Sequence, residues 1–277
     1  MDEVSFVLPR SRLTLRGRRA AKGQGLPCLC LHGWLDNCAS FDSLGEHLPG
    51  LDLIAVDLPG HGYSDPMPGV AYHYLDYATY VLELAHAQGW ERFHLLGHSM
   101  GGALASLVAG LHPEKVARLV LIDAIGPLPG SPEETLSSVA RYVQAYLGKA
   151  EQPVYRSRLQ AIKARVQLAD ILLDTAEKLL ERDLREVPGG YSWRSDVRLK
   201  HSFMRTFSEE QVLAFLRNIQ APTLLLQAER TALKEAFYPG RIDSVRAMRV
   251  VTLPGGHHLH MENVEPVAET LRAFLVD

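Results

Sequence analysis

Residues 97 to 101 read Gly-His-Ser-Met-Gly, between the apolar run Phe93–Leu96 and the small-residue stretch Gly102-Ala-Leu-Ala-Ser-Leu-Val-Ala. A G-x-S-x-G pentapeptide between a strand pattern and a helix pattern restricts the fold sharply. The serine has to occupy a sharp turn whose strained backbone only glycine neighbours tolerate, and its hydroxyl then projects at the N-terminus of the following helix. Amide groups and the helix dipole favour negative charge there. Ser99 is therefore the candidate nucleophile, against the alternative of a structural glycine turn that happens to contain serine.

Two further segments supply the groups such a serine requires. Pro27-Cys-Leu-Cys-Leu31 reads as a buried strand running into His32-Gly33-Trp34, whose backbone amides can point at the same spot. The amides of Trp34 and Met100 would form an oxyanion hole, in which one donor is typically worth about 3 kcal/mol in the transition state. Downstream, the strand pattern Arg249–Leu253 leads into Pro254-Gly-Gly-His257-His-Leu-His-Met-Glu262. A histidine in a loop after a late strand is the candidate general base, because imidazole titrates near neutrality without help.

Ser99, His257, the His32-Gly33-Trp34 loop and Asp57-Leu-Pro-Gly-His-Gly-Tyr-Ser64 together make the chain resemble the α/β-hydrolase fold family over nearly its whole length. Residues 32–42, 97–102 and 256–261 look most like the serine hydrolase-like proteins. The resemblance implies a base that directly follows a glycine, which selects His257 over His258 and His260. It also implies an acid just beyond the seventh strand, in a Gly-x-x-Asp turn, but that position holds Thr231. A threonine cannot stabilise an imidazolium as a carboxylate does. Asp123, at the end of the sixth strand, is the preferred substitute, since some haloalkane dehalogenases carry their acid in a similar setting. Glu229 is the alternative, and a dyad or another carboxylate stays open. Haloalkane dehalogenases and epoxide hydrolases place an aspartate where Ser99 stands, so attack by a carboxylate is not expected here.

Alternating short apolar runs and helical patterns indicate an α/β chain with a parallel sheet covered on both faces. Strands are expected near 5–8, 12–16, 27–31, 51–57, 93–97, 117–123, 222–227 and 248–253. Helices are expected near 38–48, 74–89, 99–112 and 264–275. The family fold implied is a mostly parallel eight-stranded sheet flanked by helices, formed by residues 1–123 and 220–277. Between residues 124 and 219 the strand signal disappears and helical patterns such as 138–147 and 168–180 take over. That block, inserted after the sixth strand, is expected to form a helical cap that excludes water and shapes the pocket. His32, Gly33, Tyr191, Trp193 and Arg194 are the candidate substrate-binding residues. Arg194, Arg198, Lys200 and Arg205 either present cations to a substrate anion or pair within the cap and with Asp196. Asp57 and His61 read as structural residues of a tight turn.

With 277 residues, 47% hydrophobic and 22% charged, and a net charge of −3, the chain suits one globular enzyme and gives no electrostatic case for nucleic acid. The opening Met1-Asp-Glu-Val-Ser-Phe carries acid where a signal peptide needs base. No apolar run approaches the roughly 18 residues of a membrane span, so a cytoplasmic protein is expected. Cys28, Cys30 and Cys38 read as inert core thiols. The arginine-rich segment Arg10 to Lys22 reads as a solvated hairpin. No metal or cofactor is expected. The leading functional reading is hydrolysis of a small or medium carboxylic ester through an acyl-enzyme. Alternatives are a carbon–carbon bond hydrolase of diketo acids, a thioesterase or lactonase, and a non-catalytic ligand-binding homologue.

Overall fold

The computed structural model describes residues 1–20, 25–69, 71–148, 151–169, 171–201, 207–231 and 238–276. In chain order its first half runs β1 (Asp2–Val7), β2 (Thr14–Arg19), β3 (Cys28–Leu31), α1 (Asp42–His47), β4 (Leu53–Val56), α2 (Tyr74–Ala87), β5 (Phe93–His98), α3 (Met100–Leu111) and β6 (Val116–Ile122). An insert follows, with α4 (Pro132–Leu147), α5 (Arg158–Ala169), α6 (Leu173–Asp183), β7 (Leu184–Val187) and β8 (Gly190–Trp193). The chain then returns through α7 (Glu209–Arg217), β9 (Thr223–Ala228), α8 (Tyr238–Ile242), β10 (Met248–Leu253), α9 (Leu259–Glu262) and α10 (Val264–Leu275).

Eight strands form one sheet in the order β1-β2-β4-β3-β5-β6-β9-β10. The pairs β1/β2 and β2/β4 are antiparallel and every other pair is parallel. Continuous apolar runs are what strands covered on both faces require. Every residue of β3, β4, β5 and β9 is buried. Alternate residues point to opposite faces. Leu29, Leu31, Ile54 and Val56 pack with Tyr77, Val81, Leu104 and Leu216 of α2, α3 and α7. Cys28, Cys30, Leu53 and Ala55 pack with Leu44, Leu271 and Phe274 of α1 and α10. All three cysteines are free and buried, and desolvation pushes the Cys30 and Cys38 thiols above their ordinary pKa. The β1/β2 hairpin is longer than the sequence suggests, because its arginines find partners. Arg18 pairs with Glu3 and Asp42, and Arg19 grips Asp52 through two bonds of 2.7 and 2.6 Å.

The insert departs from the helical expectation in two places. β7 and β8 form an antiparallel hairpin turned at Gly189 and Gly190, with φ of 91° and 142°. Its strands are four residues each, and Arg185 and Glu186 lie exposed side by side, so no apolar alternation betrays them. The single helical pattern at 168–180 is two helices, since Leu172 is extended at ψ 152° immediately before α6. A small core of Ala161, Ile162, Leu179, Leu180 and Trp193 fills the insert. α7 instead packs on α3, so tightly that a Cβ on Gly110 would meet the Phe215 carbonyl oxygen at 2.4 Å. Among the described residues no helix is long and apolar enough to cross a membrane.

Polar bonds clamp the insert to the loops at the carboxyl ends of the strands. Arg165 Nη2 donates to Asp36 at 2.5 Å, Asn37 Nδ2 to the Leu179 carbonyl at 2.8 Å, and Trp34 Nε1 to the Leu199 carbonyl at 3.1 Å. Arg182 bridges Glu3 at 2.6 Å and Asp57 at 2.8 Å. Asp57 also accepts the amides of Cys38 and Tyr63, and His61 accepts the Leu35 amide, so both residues brace these loops. Removing one member of a buried pair strands the other charge, at a cost of about 3 kcal/mol. Arg182→Met is accordingly expected to lower the unfolding free energy by that amount, read as a lower urea midpoint at little changed slope. A loss below about 1 kcal/mol would show that the two amides alone sustain Asp57.

Candidate active site

Ser99 links β5 to α3 with φ 50° and ψ −119°, a conformation that L residues rarely adopt. Its amide donates to the Ile122 carbonyl at 3.1 Å, which ties the turn to the end of β6. The flanking glycines are steric necessities. A Cβ on Gly97 would lie 2.2 Å from the Gly101 carbonyl oxygen, and one on Gly101 would lie 2.0 Å from that of Leu31. The helix thus meets β3 and β5 backbone to backbone. Strain at Ser99 persists because these contacts leave the chain no other path.

His257, in the loop after β10, places Nε2 2.8 Å from Ser99 Oγ and Nδ1 2.7 Å from Asp123 Oδ2. An ionised carboxylate only accepts, so Nδ1 carries the proton and Nε2 is left to accept from the serine hydroxyl. Asp123 is fully buried and follows β6 with φ 46°. Its amide donates to the Leu226 carbonyl at 2.8 Å, and its Oδ1 accepts the Ala228 amide at 3.1 Å. The acid therefore leans from the end of β6 across the end of β9 toward the histidine. Glu229 is exposed; its amide donates to the Leu253 carbonyl, and its carboxylate has no hydrogen bond among the described residues. His258 and His260 turn the other way, toward Asp36 at 3.1 Å and Ser40 Oγ at 2.6 Å.

The amides of Trp34 and Met100 donate to no acceptor among the described residues. Met100 adjoins Ser99, and the parallel pair β3/β5 brings the loop holding Trp34 to the same end of the sheet. Gly33 leaves room for the loop to fold back, since a Cβ there would stand 2.8 Å from Asp36 Oδ2 and 3.1 Å from His98 Nδ1.

His32 is not positioned for substrate, contrary to the sequence expectation. It is fully buried, accepts the Leu58 amide on Nε2 at 2.9 Å, and donates from Nδ1 to the Gly33 carbonyl at 2.8 Å. Desolvation holds its pKa down at about 4, so it is a neutral brace. Trp193 is likewise buried inside the insert, with the Lys200 ammonium 4.1 Å from its ring centroid. Tyr191 exchanges backbone bonds of 2.7 and 2.8 Å with Tyr155. Arg194 is exposed, with its guanidinium 5.0 Å from the Tyr63 ring. Among the described residues, none of these three hydrogen-bonds or stacks with Ser99 or His257. Arg198 pairs with Asp196 at 2.9 Å and donates to the Met67 carbonyl at 3.0 Å, and Lys200 donates to Gln152 at 2.8 Å, so these cations hold the insert together and to the main body. Arg205 lies outside the described residues.

Two buried residues beside the site carry no separate sequence signal. His98, the variable residue of the elbow, places Nε2 2.8 Å from the His257 carbonyl oxygen. Asp36, two residues beyond Trp34, gathers Arg165, His258 and His98 around one carboxylate. Asp36, His98 and His258 bring possible metal-ligand atoms within 4.8 Å of one another. The Arg165 guanidinium already supplies the cation there, which disfavours a divalent ion.

A family model described as alpha/beta hydrolase fold matches residues 27–264. A probable serine hydrolase of Drosophila melanogaster is 34% identical over 292 residues, spanning 99% of this chain and 87% of that protein. A serine hydrolase-like protein of Danio rerio is 32% identical over 287 residues, spanning 98% and 87% respectively. The crystal structure of a hypothetical protein from Pseudomonas aeruginosa PAO1 is similar with a TM-score of 0.90 and 36% identity, covering 100% of both chains.

The elbow contacts generate a contrast between neighbouring glycines. Gly101→Ala sets a methyl against backbone that cannot move aside, and is expected to cost at least about 3 kcal/mol or to prevent folding. At Gly102 the nearest neighbours are 3.0 Å away, one of them the Ala124 methyl, and the alanine variant should lose only about 1 kcal/mol. Thermal unfolding of the two proteins checks the order.

Proposed function

The chain belongs to the alpha/beta hydrolase fold family, and we propose that it is a serine hydrolase cleaving a carboxylic ester of a small or medium acyl substrate. The observation that carries this reading is the unbroken line from Ser99 Oγ through His257 to Asp123, at 2.8 and 2.7 Å. Ser99 attacks the ester carbonyl while His257 Nε2 takes its proton, and Asp123 stabilises the imidazolium that forms. The Trp34 and Met100 amides hold the oxyanion of the tetrahedral intermediate. His257 then returns the proton to the departing alcohol. Water, activated by the same imidazole, releases the acid from Ser99. Within residues 124–219, α4 to α6 and the β7/β8 hairpin act as a cap over the site and shape access for the substrate, while α7 stays on α3.

Labelling with a fluorophosphonate, followed by peptide mass analysis, tests the nucleophile, and an adduct is expected on Ser99. Absence of that adduct would favour a binding role without turnover. A panel of p-nitrophenyl esters of rising acyl length, beside thioesters and lactones, tests the substrate class. Faster turnover of thioesters or lactones than of any oxygen ester would replace the ester reading.

The three residues act as a unit. Ser99→Ala and His257→Ala should each lower kcat by about 10⁴-fold or more with the fold retained. Asp123→Asn should cost about 10⁴-fold in kcat at nearly constant KM, because the wrong imidazole tautomer is stabilised while the pocket survives. Glu229→Gln should remain near wild type. A collapse of Glu229→Gln beside an active Asp123→Asn would move the acid to the far side of β9.

A further inference from the structure

The Asp36 carboxylate is buried, yet it sits at the meeting point of the three loops that form the candidate site. It follows the oxyanion loop, where the Asp36 amide donates to the Gly33 carbonyl at 3.1 Å. Its Oδ2 accepts from His258 Nε2 at 3.1 Å, in the residue next to His257. The same oxygen lies 3.6 Å from Nδ1 of His98, the residue before Ser99. His98 in turn donates Nε2–H to the His257 carbonyl at 2.8 Å, and its ring centroid is 4.8 Å from that of His257. His98 Nδ1 therefore carries a lone pair, which has no partner. The other carboxylate oxygen, Oδ1, accepts from Arg165 of the insert at 2.5 Å.

We propose that Asp36 is a positioning residue for His257, gripping the base loop through His258, and that Arg165 couples this grip to docking of the insert. The backbone of His257 is held on one side by the elbow and on the other by the ring of His258. The second of these holds ends on the Asp36 carboxylate. Because Asp36 and Arg165 are only 1% and 3% exposed at their side chains, their charges act on the neighbouring imidazole without much screening. Together they nearly cancel; singly they do not. Desolvation keeps His98 down at about 4 and neutral, and its lone pair adds no charge.

The other groups facing this cluster are Asp123 after β6, His32 after β3, His61 after β4, His260 and Glu262 of α9, and Asp183 and Lys200 of the insert. They are common to all the variants that follow, so differences among those variants report on Asp36 and Arg165 alone.

The test is a pH titration of the His257 ring by NMR in protein labelled with ¹⁵N-histidine, alongside ester turnover. Asp36→Asn leaves the Arg165 cation unopposed and should move the His257 midpoint to lower pH by about 0.5 to 1. Arg165→Met leaves the Asp36 anion and should move it to higher pH by a similar amount. Asp36→Asn combined with Arg165→Met should return it close to wild type. Each single variant should lower kcat about 10- to 100-fold, with KM for a small neutral ester within about twofold. A merely structural role predicts lower melting temperatures with the midpoint unmoved in every variant, and that result would overturn the proposal. If Asp36→Asn does not fold, Arg165→Met and the double variant decide it in the same way. The proposal rests on His257 being the base assigned above. The ring titration reads the coupling directly, whereas fluorophosphonate labelling of wild type reads the hydrolase assignment, so the two can fail separately.

Discussion

The architecture turns on one backbone contact, the seat of α3 against the carbonyl of Leu31 at Gly101. With a van der Waals gap there too small for any methyl, the helix can enter only at one depth, and the turn before it must take the left-handed conformation seen at Ser99. Strands β3 and β5 lie side by side and end together, so the Gly33-Trp34 loop and the serine are presented at the same level. The continuous burial of these strands follows from the same demand, because a sheet that receives a helix so closely on one face and α1 with α10 on the other has no solvent side.

Much of this is legible in the amino-acid sequence because its causes are local. The elbow, the glycines, the apolar runs of the central strands and the helices α2, α3 and α10 are each written within 14 consecutive residues or fewer. Asp123 and Glu229 both end strands, and the choice between them is a matter of sheet order. β6 and β9 are neighbours, so a carboxylate at the end of β6 reaches across β9, while Glu229 faces solvent. The β7/β8 hairpin escapes notice because its two short strands carry exposed charges where alternation would otherwise show. His32 misleads for a related reason. A histidine beside a glycine loop resembles a ligand-binding group, and only the Leu58 amide, 26 residues away, identifies it as a brace.

Charge placement explains how the insert is held. Its own core is small, and polar bonds tie it to the main body. Arg165 and Arg182 each enter a buried carboxylate of the main body, Asp36 and Asp57, and Asn37 closes the same seam from the other direction. Buried pairs of this kind add little net stability relative to apolar replacements, but they fix register, because a misplaced insert leaves two charges stranded. The cations between residues 191 and 200 serve the same end, binding Asp196, Gln152 and backbone carbonyls.

The position of Asp123 has a consequence for how the chain assembles. Ser99 and Asp123 are only 24 residues apart, each following a strand of a single β5-α3-β6 unit, and the insert begins after both have been laid down. Contacts of short sequence separation form early and cheaply in folding, whereas His257 must close a loop of more than a hundred residues to join them. Had the acid followed β9, the insert would have separated it from the serine. As the chain is built, the insert can lengthen, shorten or be exchanged without disturbing the spacing of the first two groups. Only the arrival of the histidine is exposed to that variation.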